Sequence, residues 1–402
     1  MGFLCMPFAV PLLALLFVAQ SAPAGGLGFR ADETLTVPGG PDVTVFRSAA
    51  PEVISLRLSF PLKEDRGEAG AGQILRLMAE DRMRPLARRV GARAEVHRTP
   101  EAVVYQVSGP IEDLDFLGWV LREGIRQPPG QDFEAALRRV RVENDRRMET
   151  PEGVLVTRIR DSLAPNSPSV FGTAGSLDRT DAMRLTAIWE RSHRRDNARL
   201  VVVGRLPDEL VLALARDLDI PAGSQSTALQ PGDETDSPDP APEVIRHWIV
   251  EGYRIMRGDE ASALVVAWWL ADHARTTTND FEIGVEIWNI DGSRALVVSA
   301  AAYPRFRASM EGSLEGLFQD AVELMTEDDV SSVSQQLRTG IIMSGRSPWG
   351  LAELVGQAWD AGSGPEGVET LVADLDVLTR VQVLALVRAL EEASPVREEL
   401  IP

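Results

Sequence analysis

The feature that most constrains the fold of this chain is that one order of predicted elements occurs twice, on either side of a segment without apolar periodicity. Residues 222–243 are rich in Pro, Ser, Asp and Gly, a composition typical of a linker. On each side, a strand-like run precedes a long helical run, an alternating run and a series of amphipathic helical runs. The sequence therefore predicts two similar modules, each with a core of its own.

The individual elements follow from a period of two residues for strands and about 3.6 for helices. Before the linker, the predicted order is a strand at 53–60, a helix at 70–90, a strand at 102–107, helices at 111–125, 133–148 and 181–194, and a strand at 199–203. After it, the predicted order is a strand at 248–255, a helix at 261–274, strands at 281–288 and 295–301, and helices at 314–325, 330–343 and 379–390.

Short sequence matches link the two halves. Residues 114–117 resemble residues 314–317, and residues 177–180 resemble residues 375–379. Because these matches share a nearly constant separation, they indicate an internal duplication of one α+β module. The alternative is a chance match of generic amphipathic helices. Two similar modules joined by a linker also predict a cleft between them, and clefts are common binding sites.

The N-terminus has the layout of a secretory signal. An apolar run at residues 8–19 ends on small residues near Ala22 and Ala24, and it is shorter than the roughly 20 residues that span a bilayer. A basic n-region is missing, so a poorly cleaved anchor or a misread start codon stays open. We predict a signal at 1–24, modules at 25–221 and 244–402, and export to the periplasm or cell envelope.

Composition narrows the possible partners. The net charge of −19 argues against nucleic acid and anionic membranes, because binding phosphates requires a basic patch. The sole cysteine, Cys5, lies within the predicted signal, so stability must come from apolar cores rather than disulfides. The longest later apolar run, residues 263–271, fits a buried helix, and we predict no stable membrane span.

Three segments resemble a known family, the pitrilysin/insulinase zinc peptidases. Residues 70–78 stand in the place of the family's Gly-x-Ala-His-x-x-Glu-His-Met helix. Residues 91–96 are similar to the Gly-rich turn and strand that follow it, and residues 172–204 to the run that ends the family's first module. The resemblance implies an α+β fold of two tandem homologous modules, each a mostly antiparallel sheet with helices packed on one face, in a half-clamshell.

The catalytic motif of that family is degenerate here. Histidines at i and i+4 lie on one helical face and bind one Zn²⁺, while the intervening Glu activates the metal-bound water. Those three positions read Gln73, Arg76 and Leu77 in this chain. Glutamine is a poor zinc ligand, leucine is none, and arginine is neither base nor ligand and repels a cation. We therefore predict no catalytic residue, no bound metal and no cofactor of its own.

The resemblance implies two further site positions. The family's distant carboxylate ligand would fall in the predicted helix at 133–148, where Glu143 is the best match, and a solvated glutamate is the alternative role. Active members also use an Arg and a Tyr in the second module to hold substrate. The matching segment, 281–288, contains neither, and burial explains its Phe281 and Trp288 without a ligand. Residues that bind substrate therefore stay unassigned.

No other cluster in the sequence supplies a catalytic site. Glu95 and His97 could share one strand face, although an exposed strand pair explains them as well. The G-x-G-x-x-G match at 362–367 follows a helical run, which predicts a helix-to-helix loop rather than a dinucleotide site. The single lysine, Lys63, excludes a phosphate loop of the Walker type. Besides His97 the chain has three histidines, none placed to share a helical face: His193, His247 and His273.

The resemblance implies a function by association, because active and metal-free chains of this family often pair around a peptide chamber. Our leading hypothesis is a non-catalytic subunit that pairs with a zinc-bearing homologous partner, closes the chamber and helps to bind unfolded peptide. Zinc is then expected only in the partner. One alternative is a homodimeric peptide-binding or scaffolding protein of the envelope. Another is an active zinc metallopeptidase with an unorthodox site, for which the sequence offers no ligand set.

Overall fold

The computed structural model of the protein describes residues 29, 31–37, 40–48, 50, 52–165, 169–222, 244–278, 280–290 and 292–402. The predicted signal and nearly all of the predicted linker lie outside these residues. Two sheets, of six and four strands, form the centre of the described part, and helices cover them. No helix of the described part is long and apolar enough to cross a membrane.

The six-stranded sheet belongs to the first half. Its strands are β1 (Glu33–Thr36), β2 (Asp42–Phe46), β3 (Val53–Pro61), β4 (Arg93–Arg98), β5 (Ala102–Pro110) and β6 (Arg199–Val203), in the spatial order β1-β2-β6-β3-β5-β4. Every neighbouring pair is antiparallel except β2 and β6, which run parallel. The helices of this half are α1 (Ala71–Ala87), α2 (Leu114–Ile125), α3 (Gly130–Met148), α4 (Pro151–Leu163), α5 (Ala174–Arg179), α6 (Ala182–Ser192) and α7 (Asp208–Asp217).

The four-stranded sheet belongs to the second half and is antiparallel throughout. Its strands are β7 (His247–Ile255), β8 (Glu282–Ile290), β9 (Ser293–Ala302) and β10 (Val396–Leu400), in the order β10-β7-β9-β8. The helices are α8 (Glu260–Thr277), α9 (Arg307–Leu324), α10 (Glu327–Ser344), α11 (Pro348–Asp360), α12 (Gly367–Val377) and α13 (Arg380–Glu392). The order from β7 to β10 repeats the order from β3 to β6, so the predicted duplication is confirmed element by element.

Strand alternation decides which face of the first sheet meets which helices. Ile54, Leu56 and Leu58 on β3 enter the large apolar core beneath α1 and α2, whereas the intervening residues point to the opposite face. The second sheet packs against α8 and α9 in the same way. The predicted α+β class, with mostly antiparallel sheets and most of each half's own helices on one face, is confirmed.

The sequence did not predict that the two halves exchange a helix. Helix α4 of the first half packs on the free face of the second sheet, where Leu155 and Ile159 join an apolar cluster with Val250. Helix α11 of the second half packs on the free face of the first sheet, where Val355 joins a cluster with Val201. Each sheet is thus covered on both faces, and the exchange fixes the halves to each other.

Both exchanged helices begin with a local signal that the sequence analysis missed. Thr150 and Ser347 are N-caps followed by Pro at the first helical position, and their hydroxyls accept hydrogen bonds from Gly153 N (3.1 Å) and Gly350 N (3.0 Å). A Cβ at either glycine would lie 2.0 Å from a backbone carbonyl oxygen of the preceding helix. The repeated Ser/Thr-Pro-x-Gly pattern is therefore the start signal of these helices.

Candidate functional site

The degenerate motif lies on α1, on the helix face that meets α3. Gln73, Arg76 and Glu80 follow one another at intervals of three and four residues, so their side chains share one face. Gln73 and Glu80 are both buried, while Arg76 is partly exposed. Leu77 points into the first core, with 1% of its surface exposed, and contributes no polar atom to this face.

The guanidinium group of Arg76 occupies the centre of this arrangement. Its Nε donates to Oε1 of Gln73 at 2.6 Å, and its Nη1 donates to Oε2 of Glu80 at 3.2 Å. Its Nη2 donates to Oε2 of Glu143 on α3 at 3.3 Å. Glu143 is the residue matched to the distant carboxylate ligand, and it is 46% exposed, so it is both an ion-pair partner and partly solvated. One cation of the protein itself thus engages all three oxygen donors.

These residues do not fit a zinc ion. Zinc sites use imidazole, thiolate or carboxylate ligands, and Leu77 and Arg76 provide none of them. The carboxylates of Glu80 and Glu143 are engaged by Arg76, and Glu80 also pairs with Arg84. Two unit charges 4 Å apart interact with about 4 kcal/mol at an effective dielectric constant of 20, and a divalent ion doubles that repulsion. A metal ion would have to displace the guanidinium group.

His193 has a structural role. Its ring is fully buried between Phe60 and Trp189, with ring centroids 4.4 and 5.6 Å away. Burial lowers the pKa of His193 to about 3, so the ring is neutral at physiological pH. The Ser192 hydroxyl donates to Ile188 O at 2.9 Å, so Nδ1 of His193 donates to Ser192 Oγ (2.8 Å), and Nε2 accepts from the Tyr105 hydroxyl (2.6 Å). Both nitrogens are therefore satisfied inside the first core.

Glu95 and His97 lie on β4, as predicted, but they have different partners. Glu95 forms an ion pair with Arg93 at 2.8 Å, whereas His97 Nε2 lies 3.4 Å from Oε1 of Glu353 on the exchanged helix α11. Burial raises the pKa of Glu353, but His97 and Arg57 outweigh it and lower that pKa to about 2. His97 thus belongs to the contact between the halves rather than to a metal site.

One group in the described part brings together three possible metal ligands that the sequence analysis did not connect: His247, Glu311 and Glu399, whose ligand atoms all lie within 4.8 Å of one another. His247 Nε2 contacts Glu399 at 3.1 Å, and Glu311 pairs with Arg307 (3.1 Å) and Arg397 (3.7 Å). Because these residues come from β7, α9 and β10, no spacing in the sequence could reveal them. The two arginines oppose a bound cation.

The segment matched to the family's substrate-binding residues forms the edge strand β8. Phe281 and Val285 pack against the second core, and Trp288 joins the cluster beneath α4. Trp288 Nε1 also donates to Glu286 Oε2 at 2.8 Å. Strand β4 occupies the matching edge of the first sheet. Among the described residues, neither strand has a partner on its outer side, so both edges keep backbone groups that could pair with an extended chain.

Comparison with known proteins identifies the fold. No protein-family model and no curated protein matches the sequence. Solved structures with the same fold include a protease from Helicobacter pylori, with a TM-score of 0.80 and 13% identity over 92% of this chain and 99% of that chain. They also include a peptidase M16 inactive domain from Pseudomonas fluorescens, with a TM-score of 0.76 and 13% identity over 91% of this chain and 97% of that chain.

A chain of complex III2 from Candida albicans, with Inz-5 bound, has the same fold as well, with a TM-score of 0.72 and 11% identity over 91% of this chain and 95% of that chain. Identities this low establish a shared fold. The resemblance to the pitrilysin/insulinase peptidases, peptidase family M16, is confirmed at that level, as is the half-clamshell architecture. The proteins that share the fold include an inactive domain.

Proposed function

We propose that this chain is a non-catalytic subunit of a pitrilysin/insulinase-like peptidase assembly, which pairs with a zinc-bearing homologue and helps to bind unfolded peptide. The observation that carries the proposal is the guanidinium group of Arg76 between Gln73, Glu80 and Glu143. The chain keeps the fold and the acidic position on α3, but a fixed cation of its own engages the oxygen donors. Zinc-dependent hydrolysis would then depend on the partner.

The chemistry of zinc peptidases explains why binding is the part that this chain can supply. Hydrolysis requires a metal held by three protein ligands and a water molecule in the open position. Without those ligands on α1, the chain can still provide a surface that binds peptide. Edge strand β4 packs beside α1 and has a free outer side in the described part, and such an edge can bind an extended peptide through backbone hydrogen bonds. An unfolded peptide exposes the backbone N–H and C=O groups that this pairing requires.

Export to the periplasm or cell envelope is part of the same proposal. It rests on the layout of the first 24 residues, which lie outside the described part. The net charge of −19 is compatible with a soluble partner and opposes binding to anionic membranes. The likeness to an inactive domain supports a role without catalysis, because it shows that this architecture also occurs in a protein described as inactive.

Co-purification from the native host tests the proposal. The tagged full-length chain should bring down a homologue that carries an intact His-x-x-Glu-His helix, and the pair should cleave denatured peptides that neither chain cleaves alone. The matched control replaces the motif glutamate of the partner by glutamine, which should abolish cleavage and preserve pairing. Isolation of a homodimer without any zinc-bearing chain would contradict the proposal and favour a scaffolding role.

A further inference from the structure

A cavity of about 250 Å³ lies in the second half, away from the degenerate helix α1. It forms where the end of β7, residues 289 and 292–294 of the β8–β9 hairpin, and the loop at residues 361–367 meet. That loop contains the predicted helix-to-helix segment 362–367, which indeed connects α11 to α12. The volume is many times the roughly 10–15 Å³ that one water needs, and slightly below the roughly 300–1,000 Å³ of pockets for drug-sized ligands. It suits a smaller molecule.

The lining of this cavity carries charges of both signs. Arg257, Glu260, Arg294 and Asp374 line it; Glu260 and Arg294 are half-buried, whereas Arg257 and Asp374 are exposed at its mouth. Within the described part, neither arginine has a hydrogen-bond or ion-pair partner. Burial lowers the pKa of Arg294, and the nearby Glu260 only partly opposes this shift. A partly buried guanidinium without a hydrogen-bonded partner is costly, and a carboxylate ligand would satisfy it.

The duplicated fold provides an internal comparison, because the corresponding corner of the first half is filled. There, Arg98 and Glu64 form an ion pair at 3.0 Å, with 2% and 1% of their side chains exposed. Glu64 Oε1 also accepts a hydrogen bond from Gly72 N at 2.6 Å, and a Cβ at Gly72 would lie 2.4 Å from Arg98. One corner is thus closed by an internal ion pair, and the other leaves its charged groups around open space.

We propose that the cavity of the second half binds a small zwitterion, an amino acid or dipeptide. Its carboxylate would contact Arg257 and Arg294, and its ammonium group would contact Glu260 and Asp374. Glu260 Oε2 accepts a hydrogen bond from Gly258 N at 2.9 Å, so the missing partner is an anion for the arginines, which the ligand's carboxylate would supply as Glu64 does for Arg98 in the first half. Side chains of Ser293, Ser363 and Thr370 offer neutral hydrogen-bonding groups around the rest of the space. This site is independent of the pairing proposed above.

Calorimetric titration of the purified full-length chain with alanyl-alanine tests the proposal. We expect saturable binding that weakens at least about tenfold with N-acetyl-alanyl-alanine, which lacks the ammonium group, and with alanyl-alanine amide, which lacks the carboxylate. Arg294→Gln should weaken binding by at least about the same factor. The matched control Arg388→Gln removes an exposed arginine on α13, outside the cavity, and should leave binding unchanged.

A second variant keeps the test decisive if Arg294→Gln fails to fold. Thr370→Phe adds bulk at the wall formed by α12 and should abolish binding while thermal unfolding stays cooperative. Equal binding of the acetylated dipeptide, the amide or inorganic phosphate would overturn the proposal, and so would no binding of alanyl-alanine up to its solubility limit. Because the titration needs neither a partner chain nor cleavage, its failure would leave the proposed pairing untouched.

Discussion

The two halves of the molecule repeat one order of elements but differ in how they place charge. In the first half, Arg76 on α1 engages Glu80 and Glu143, and the exchanged helix α11 meets the sheet through buried ion pairs. In the second half, the buried side of α8, the counterpart of α1, is almost entirely apolar, and α4 meets the sheet mainly through an apolar cluster, beside one hydrogen bond from Ser162 to Glu398 (3.0 Å). The second half shows that this module folds without a charged group on the buried side of its long helix. The fold of the module therefore does not require the polar face of α1.

The largest expected effect is on metal binding at α1. Replacing Gln73 by His, Arg76 by Glu and Leu77 by His removes the internal cation and restores a complete donor set with Glu143. We expect the triple variant to bind about one equivalent of zinc, since a zinc site with an open position needs three protein ligands. Metal analysis after dialysis measures this directly. Adding Glu143→Gln should weaken the binding, and an unchanged affinity would show that the polar face of α1 is unrelated to a metal site.

The next largest effect concerns the buried charges beneath α11. Arg57 is 1% exposed, and its Nη2 donates to Asp360 at 2.8 Å. Arg57→Ala leaves the buried Asp360 carboxylate with the Ser59 hydroxyl at 2.7 Å and a longer 3.5 Å contact from Arg199, but without its buried charged partner, so we expect the free energy of unfolding to fall by about 3–5 kcal/mol. Urea unfolding measures this loss. Arg139→Ala, which removes an exposed pair with Asp81, should cost less than about 1 kcal/mol.

Equal losses in these two variants would mean that α11 does not depend on its buried charge. The contact beneath α11 would then depend mainly on apolar packing, as the contact beneath α4 does, and the two contacts would not differ in how they stabilise the protein.

Acid titration tests the same difference between the α11 and α4 contacts, because Glu353 lies on α11. Because the pKa of Glu353 is about 2 in the folded chain and near its ordinary value of 4.5 when unfolded, its stabilisation is complete above pH 4.5 and is lost as the pH falls toward 2. The free energy of unfolding should fall by up to roughly 1.4 kcal/mol per pH unit in this window. Glu353→Gln should reduce that slope. Glu398→Gln, beside Ser162 at the α4 contact, should leave it unchanged.

The smallest expected effects are at the matched N-caps of the exchanged helices. Thr150→Ala and Ser347→Ala each remove one hydroxyl that accepts a backbone hydrogen bond, at 3.1 and 3.0 Å. Each variant should lower the free energy of unfolding by about 1 kcal/mol, because N-cap losses usually have this size. Denaturant unfolding of both variants checks it. A difference above 1 kcal/mol between them would show that the two exchanges do not contribute equally to stability.

Sequence periodicity predicted most of the elements but not the way in which the halves exchange α4 and α11. The strand at 199–203 matches β6, and the helix at 133–148 lies within α3 (Gly130–Met148). Helices α4 and α11 were not predicted. The sheet that each one covers belongs to the other half, so the local sequence pattern does not show which core they join. Their Ser/Thr-Pro-x-Gly starts are a local sign that a helix begins there.

At the site on α1, the sequence likewise identified residues but not their contacts. The motif identified Gln73, Arg76 and Leu77, and the resemblance identified Glu143, but only the fold brings Arg76 and Glu143 to 3.3 Å. The cavity of the second half was beyond sequence reasoning, because Arg294 lies far along the chain from Arg257 and Glu260 and meets them only after β9 pairs with β7.

Zinc content and cleavage measured together on the purified full-length chain test the central claim most directly. We predict that the chain, dialysed against zinc and then against buffer, retains no zinc at α1 and cleaves no denatured peptide alone. The contradicting result is about one equivalent of zinc, together with cleavage that a chelator abolishes. That zinc would be assigned to α1 if Glu143→Gln removes it and Glu399→Gln, in the group around His247, does not.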